Sequence, residues 1–339
     1  CYTNMPAPLT IGQAADLVDL SIQKVFFKSS DPEVQYKKYF NFRTTSDYYE
    51  KDSSLSGLGE ADFVDENSVI MSDIPVQGFD KTYTQNMVGI IVPFTYKMWK
   101  FGITKRSLNK VARELKAAHA RKREKLCAER LDNGFESTSY THSGQGGNTT
   151  VTTSGGDGLG AFDDDHTRED GGTNMNNFVY DGTTYNLPFD YAGLKAAYRT
   201  ASLFVDPRGN PRPANLDTLV VKKGSANSFK AKEIMKAIQN NKIPESNDND
   251  GSGVAAYTII ELDYLTNSGY WYMFDSSRAL TDEEGFQFVE SEAPSVDPVN
   301  IVYKTKEIQT SATSLFDLGH NDVARSWVAS KGTSANPSD

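Results

Sequence analysis

The chain has 339 residues, 38% hydrophobic and 24% charged, with a net charge of −10 and a pI near 5. That length fits one large mixed unit or two moderate lobes; the composition excludes global disorder and collagen-like repeats, and the acidity excludes a chain that is basic throughout. Two cysteines, Cys1 and Cys127, exclude a disulfide scaffold and point to a reducing setting, and no apolar run approaches the ~18 residues of a membrane span.

The opening CYTNMPAPLT starts on Cys and has no charged n-region ahead of an apolar run, so no signal peptide is expected in it. Residues 12–27 place Ala14, Leu17, Val18 and Val25 at helical spacing, which predicts a short amphipathic helix ended before Asp31-Pro32. Such a helix either packs at the terminus or docks on another chain.

Residues 38–102 have a different texture. The flanks KYFNFRTTSDYY and FDKTYTQNMVGIIVPFTYKMWKF are aromatic and β-prone, and the acidic stretch GLGEADFVDENSVIMSDIPVQG between them is poor in helix signals. Two β-rich flanks around a weak tip predict a long hairpin or extended loop. A segment this long without its own core usually belongs to function, and a lone two-stranded ribbon is marginal in water. Something outside the ribbon must cover its apolar side chains. A neighbouring copy of the chain is the simplest supplier; the alternative is a mobile loop of a monomer. Val88, Ile90, Ile91, Val92 and Phe94 are expected to be shared between core and neighbour, and the candidate contacts between subunits are Tyr48, Tyr49, Phe63, Ile70, Phe79, Val88, Ile90 and Val92.

The clearest helix follows. Ser107 is the candidate N-cap, Leu108, Val111, Ala112, Leu115, Ala118 and Leu126 share one stripe, and Asn133-Gly134 is the stop. About 26 residues at ~1.5 Å each make a rod of roughly 39 Å, long enough to be the spine of a domain. Residues 100–130 hold eleven Lys and Arg against three acids, so this segment carries +8 and the rest of the chain −18. The cations either form a solvated helix face or meet a polyanion through its phosphates. The candidates for that polyanion-facing surface are Lys110, Arg113, Lys116, Arg121, Lys122, Arg123 and Lys125.

In residues 139–160, fifteen of twenty-two are Gly, Ser or Thr, which predicts a flexible loop or linker. Beyond it the pattern is mixed. Residues 190–204 read as a helix with Leu194, Ala197 and Tyr198 inward, 206–213 as a turn, and 217–223 as a buried strand. Ser225 or Ser228 caps the helix after that strand, and 247–253 is a loop. Residues 256–265 and 270–276, joined at Asn267-Ser268-Gly269, read as a strand pair, 299–319 as one long strand, and SANPSD as a frayed end.

The acidic cluster Asp163-Asp164-Asp165-His166 invites a metal-dependent hydrolase reading through Asp163, Asp165 and His166, but consecutive carboxylates cannot all face one ion. His119, His142, His166 and His320 share no triad or zinc spacing, His119 falls on the apolar side of the spine, and no G-x-S-x-G, H-E-x-x-H or P-loop occurs. Cys127 reads as an inert thiol and Tyr270, Trp271, Tyr272 and Phe274 as core. No catalytic residue, cofactor or metal is expected.

Five pieces in order carry a resemblance: NMVGIIVPFTYKMWKFG leading into the long helix to Phe135; that helix itself; DGLGAFDDDH followed by GGTNMNN; DPRGNPRPANLDTLVVKKGSANSFKAKEIM; and GHNDVARSWVASKG. Together they resemble the major capsid protein of tailed double-stranded DNA bacteriophages, closest to the Mu-like head subunit, over about residues 10–335.

The resemblance implies an α+β fold: an N-terminal arm (1–35), an extended hairpin loop (36–102), a peripheral domain (103–188) on a spine helix (107–133), an axial α/β domain (189–298), and a strand returning to the peripheral domain with the tail (299–339). It also implies a structural, non-enzymatic protein that self-assembles into hexamers and pentamers of an icosahedral head. Packaged double-stranded DNA would lie against the spine, with scaffolding, portal and cement proteins as further partners and no membrane. The setting would be a virion capsid, assembled in the host cytoplasm. A phage tail or decoration protein is the alternative within that class.

Overall fold

The computed structural model describes residues 10–29, 33–55, 57–66, 68–75, 77–102, 105–135, 138–239, 255–280 and 284–333. Helix α1 (Ile11–Lys28) opens with a capping box between Thr10 and Gln13. Strands β1 (Asn41–Thr44), β2 (Tyr49–Leu55), β3 (Gln77–Thr84) and β4 (Asn86–Phe94) lead to the long helix α2 (Lys105–Asp132). Then come β5 (Ser139–Gly144), β6 (Gly147–Thr152), α3 (Tyr191–Ser202), β7 (Thr218–Lys222), α4 (Ala226–Gln239), β8 (Thr258–Leu262) and β9 (Trp271–Phe274). A single turn of helix, α5 (Ser276–Ala279), precedes β10 (Phe286–Val296), β11 (Asn300–Val302), β12 (Glu307–His320) and β13 (Trp327–Ser330).

Two sheets are built on α2. In the five-stranded sheet β12 is central: Ala312 pairs with Val296 of β10 on one side and with Ile90 of β4 on the other. β1 joins β10 in parallel, and β11 pairs with β12, antiparallel, from Asn300–Gln309 to Val302–Glu307. The even positions of β12 from Ile308 to Phe316 are buried and the odd ones half-buried, the period of a strand with one covered face. The amino-terminal half of α2 and α1 pack there through Leu108, Ala112, Leu115, Ala14, Val18, Ile22 and Phe26. The second sheet runs β13-β9-β7-β8. Leu219, Val221 and Met273 meet α3 and α4 on one face, while Val220, Tyr272 and Trp327 share the other core with Cys127, Ala128 and Leu131 of α2. One rod of 28 residues, ~42 Å long, therefore takes part in both cores.

Several expectations are corrected. α2 already runs from Lys105, so Ser107 lies inside its first turn rather than capping it. Asn133-Gly134 does end the helix: the Asn133 N–H still bonds the Glu129 carbonyl at 3.0 Å, and the Gly134 N–H tightens onto the Leu131 carbonyl at 3.1 Å. Residues 139–160 are not a plain flexible linker: β5 and β6 form a hairpin in register from Ser139–Thr152 to Gly144–Gly147, with Gly147 at φ +113 where β6 leaves the turn. β8 and β9 are not partners, since β7 lies between them, parallel to β8 through α4 and antiparallel to β9. The segment 299–319 is split into β11 and β12 by a turn with Lys306 at φ +55. Ser225, not Ser228, is the cap of α4, accepting the Ser228 N–H at 3.2 Å. The loop expected at 247–253, the tail SANPSD and Asp31-Pro32 lie outside the described residues.

Candidate functional site

The ribbon expected over 38–102 is shorter than the pattern suggested. Among the described residues β2 pairs with β3 alone, from Tyr49–Thr84 to Leu55–Gln77, and MVGIIVPF leaves it to pair with β12. The base of the ribbon is fastened to the body. Asp317 accepts the Thr84 N–H at 2.9 Å, Lys81 donates to the Ser154 carbonyl at 2.7 Å, and Asn321 donates to the Phe79 carbonyl at 3.2 Å. Tyr83 is fully buried against Gly319, where a Cβ would meet its ring at 2.5 Å. On the ribbon, the Lys51 ammonium at 2.5 Å, with Ser53 and Gln77, holds Asp80 down to about 2.

Among the described residues, the tip beyond this base is exposed. Leu58, Phe63, Val69, Ile70, Met71 and Ile74 are exposed, with Phe63 at 102% and Val69 at 91%. Glu60, Asp62, Asp65, Glu66 and Asp73 lie among them without a Lys or Arg between 57 and 75. An apolar surface rimmed by one sign of charge is the form of an interaction patch.

The candidate contacts divide by the side of the strand they occupy. Phe63, Ile70, Tyr48 and Tyr49 are exposed. Phe79 is not: it is half-buried where the ribbon meets the body. On β4, Val88 and Val92 pack into the protein's own cores, Phe94 is buried, and Ile90 is at the margin with 37% exposure. The outward positions are Met87 and Ile91, at 70% and 62%. Because side chains alternate along a strand, pairing with β12 decides which set faces out. α1 likewise buries Val18 and Ile22 while leaving Leu17, Leu20 and Phe27 outside.

The cationic spine also divides. Arg123 is withdrawn from any polyanion surface: it is 5% exposed, paired with Glu290 at 2.6 Å and set over the Phe288 and Phe316 rings. Lys116 is half-buried and caps the end of α1 through the Phe26 and Ser29 carbonyls at 3.3 and 2.7 Å. Lys122 is half-buried against His142 Nε2 at 2.5 Å, and His142 Nδ1 meets Glu129 at 2.5 Å. Burial lowers the Lys122 pKa. Arg130, not among the candidates, is buried on the Thr152 carbonyl. Lys110, Arg113, Arg121 and Lys125 are exposed, as is Arg106, which sequence reasoning missed. At 100° per residue, Arg106, Lys110, Arg113 and Arg121 span an arc of about 80°, so they form one row.

The acidic cluster does not converge. His166 Nδ1 pairs with Asp157 at 2.7 Å, Asp165 accepts from Asn174, and among the described residues no group of three or more His, Cys, Asp or Glu is arranged to hold a metal ion. His119 is buried on Ser314 and the Ala312 carbonyl, and burial drives the fully enclosed Cys127 thiol well up.

No family model and no curated protein matches the sequence. Solved structures do. The capsid of Ralstonia phage GP4 aligns with a TM-score of 0.53 at 11% identity, over 89% of this chain and 93% of that one. The capsid of cyanophage P-SCSP1u aligns at 0.48 and 9% identity over 89% of each chain. A structure from Mycobacterium phage Adephagia aligns at 0.44 and 11% identity, over 96% of this chain and 98% of that one. The alignment with the GP4 capsid shows a shared mixed α/β fold.

Proposed function

We propose that this chain is a major capsid protein, a structural, non-enzymatic subunit that self-assembles into hexamers and pentamers of an icosahedral phage head enclosing double-stranded DNA. Within that class, the ordered sequence pieces favour the Mu-like type. The observation that carries the reading is the hairpin tip, whose Phe63, Val69, Ile70 and Met71 stand outside their own molecule. Burying such side chains against a sister copy is worth roughly 1.5–3 kcal/mol each, and closed symmetry repeats every contact around a ring. Many modest interfaces then hold a shell that no single one would. The row Arg106, Lys110, Arg113 and Arg121 supplies the DNA-facing surface, and Leu17, Leu20 and Phe27 of α1 a second intersubunit face. Scaffolding, portal and cement proteins are the further partners this role implies.

Negative-stain microscopy and size-exclusion chromatography of the purified chain test this. Particles tens of nanometres across are the expected result; a monodisperse monomer at all concentrations overturns it, and open tubes or small rings indicate a tail or decoration protein instead. The triple change Phe63→Ser, Ile70→Ser, Met71→Ser is expected to abolish particles while the melting temperature stays at the wild-type value.

A further inference from the structure

The hairpin tip does not leave the body freely. Arg208, in the turn 206–211, reaches both strands at the neck of the tip. Its Nε donates to the Gly57 carbonyl at 3.2 Å, and its Nη2 donates to the Ile74 carbonyl at 2.9 Å and to Asp73 Oδ1 at 3.2 Å. Asp73 closes the neck from the other side, accepting the Gly59 N–H at 2.6 Å and the Ile74 N–H at 2.9 Å. One planar guanidinium thus ties the incoming and outgoing chains, a task its fork of donors suits and a single ammonium does not.

The mount is stiff. Asp206 Oδ1 accepts the N–H groups of Arg208 and Asn210 at 2.9 and 2.8 Å, and Gly209 turns the chain at φ +87. The Val205 carbonyl accepts from Nε of the buried Arg325 at 3.2 Å, and Arg325 is itself paired with Glu169 at 2.9 Å. The contact therefore runs from the tip to a buried ion-pair network of the body.

We propose that Arg208 is an intramolecular clasp: it fixes the direction in which the tip leaves its own subunit, so that Phe63, Val69, Ile70 and Met71 are presented as one preorganised surface to a second copy of the chain. This rests on the shell reading above. Fixing the neck before docking removes an ordering cost that each interface otherwise bears. Arg208 is a positioning residue, acting through the tip.

The test uses the full chain. Amide exchange at Gly59 and Ile74 in the free subunit reads the clasp, and the rate of particle formation reads its use. Arg208→Ala is expected to speed exchange at both amides about tenfold, the loss of a charge-assisted bond, and to slow particle formation about tenfold. Arg208→Lys falls between. Exchange in β10 and β12 stays unchanged, which separates the clasp from a general loss of stability. Arg208→Gln replaces Arg208→Ala if that variant does not fold; Asp73 stays unchanged, because its carboxylate is itself the acceptor of both amides. Unchanged exchange in both variants overturns the clasp. Faster exchange with an unchanged rate of particle formation overturns its role in docking. A wild-type chain that forms no particles overturns the shell reading and the docking role with it, while the exchange measurement still decides the clasp.

Discussion

Arg123 of α2 and Glu290 of β10 form an ion pair at 2.6 Å with side-chain exposures of only 7% and 10%. The helix is thereby bolted to the five-stranded sheet, and the guanidinium also covers the Phe288 ring at 5.4 Å and the Phe316 ring at 5.0 Å. Removing one member leaves the other charged, dry and unpaired. Arg123→Ala is expected to cost about 3–5 kcal/mol in urea unfolding, whereas Arg121→Ala, at a 56% exposed side chain, stays within about 0.5 kcal/mol. Equal effects would remove the distinction between bolt and surface row.

The two sides of β4 make a second contrast. Ile91 faces outward and Val92 packs inward, one residue apart. Val92→Asp places a carboxylate in the core and is expected to destabilise the fold by about 2–4 kcal/mol. Ile91→Asp is expected to leave the melting curve unchanged and to reduce particle formation. Thermal unfolding and light scattering on the same preparations check both halves.

Acid stability follows from two buried histidines with opposite shifts. Burial pushes His320 well below the usual histidine range, helped by the Arg130, Lys81 and His166 charges. Its unfolded form binds the proton more readily, so its contribution is present above about pH 6.5 and is lost below it, by up to about 1.4 kcal/mol per pH unit. His119 is lowered in the same direction by burial. Burial opposes the charge on His166, but the Asp157 carboxylate at 2.7 Å, together with the Asp322 and Asp163 charges, outweighs it and the pKa is raised. That contribution is full below about pH 6.5 and disappears as pH rises through the raised value. Urea unfolding at about pH 5 and about pH 7.5 is expected to show a smaller acid loss in His320→Leu and a larger one in His166→Gln than in wild type. The same acid loss in all three proteins would show that neither shift contributes.

Duplex DNA binding is expected to draw on the exposed row and not on the buried Arg123. Changing Arg106, Lys110, Arg113 and Arg121 to Gln is expected to lower the slope of log affinity against log salt by about 3–4, near 0.9 for each phosphate that the row no longer neutralises. Fluorescence anisotropy over a salt series measures it. A slope unchanged in that variant would sever the row from DNA.

The residue pattern is enough to read α2, from the Leu108–Leu115 stripe to the Gly134 stop, and the excess of charge along it. It determined the buried strands β7 and β9, and that the 57–75 segment would not bury its own Phe63 and Ile70. These are local facts: periodicity, caps and composition act over a few residues. Tertiary structure alone decided three others. β7 entered between β8 and β9 because a parallel partner arrives through the long α4 crossover, which a neighbouring turn signal does not reveal. β4 left the ribbon for β12, and that pairing turned Val88 and Val92 inward and Met87 and Ile91 outward. Arg123 and Arg121 differ by two positions in one basic run, yet about 200° around the helix separates them, and only the sheet lying against α2 made one of them a core residue.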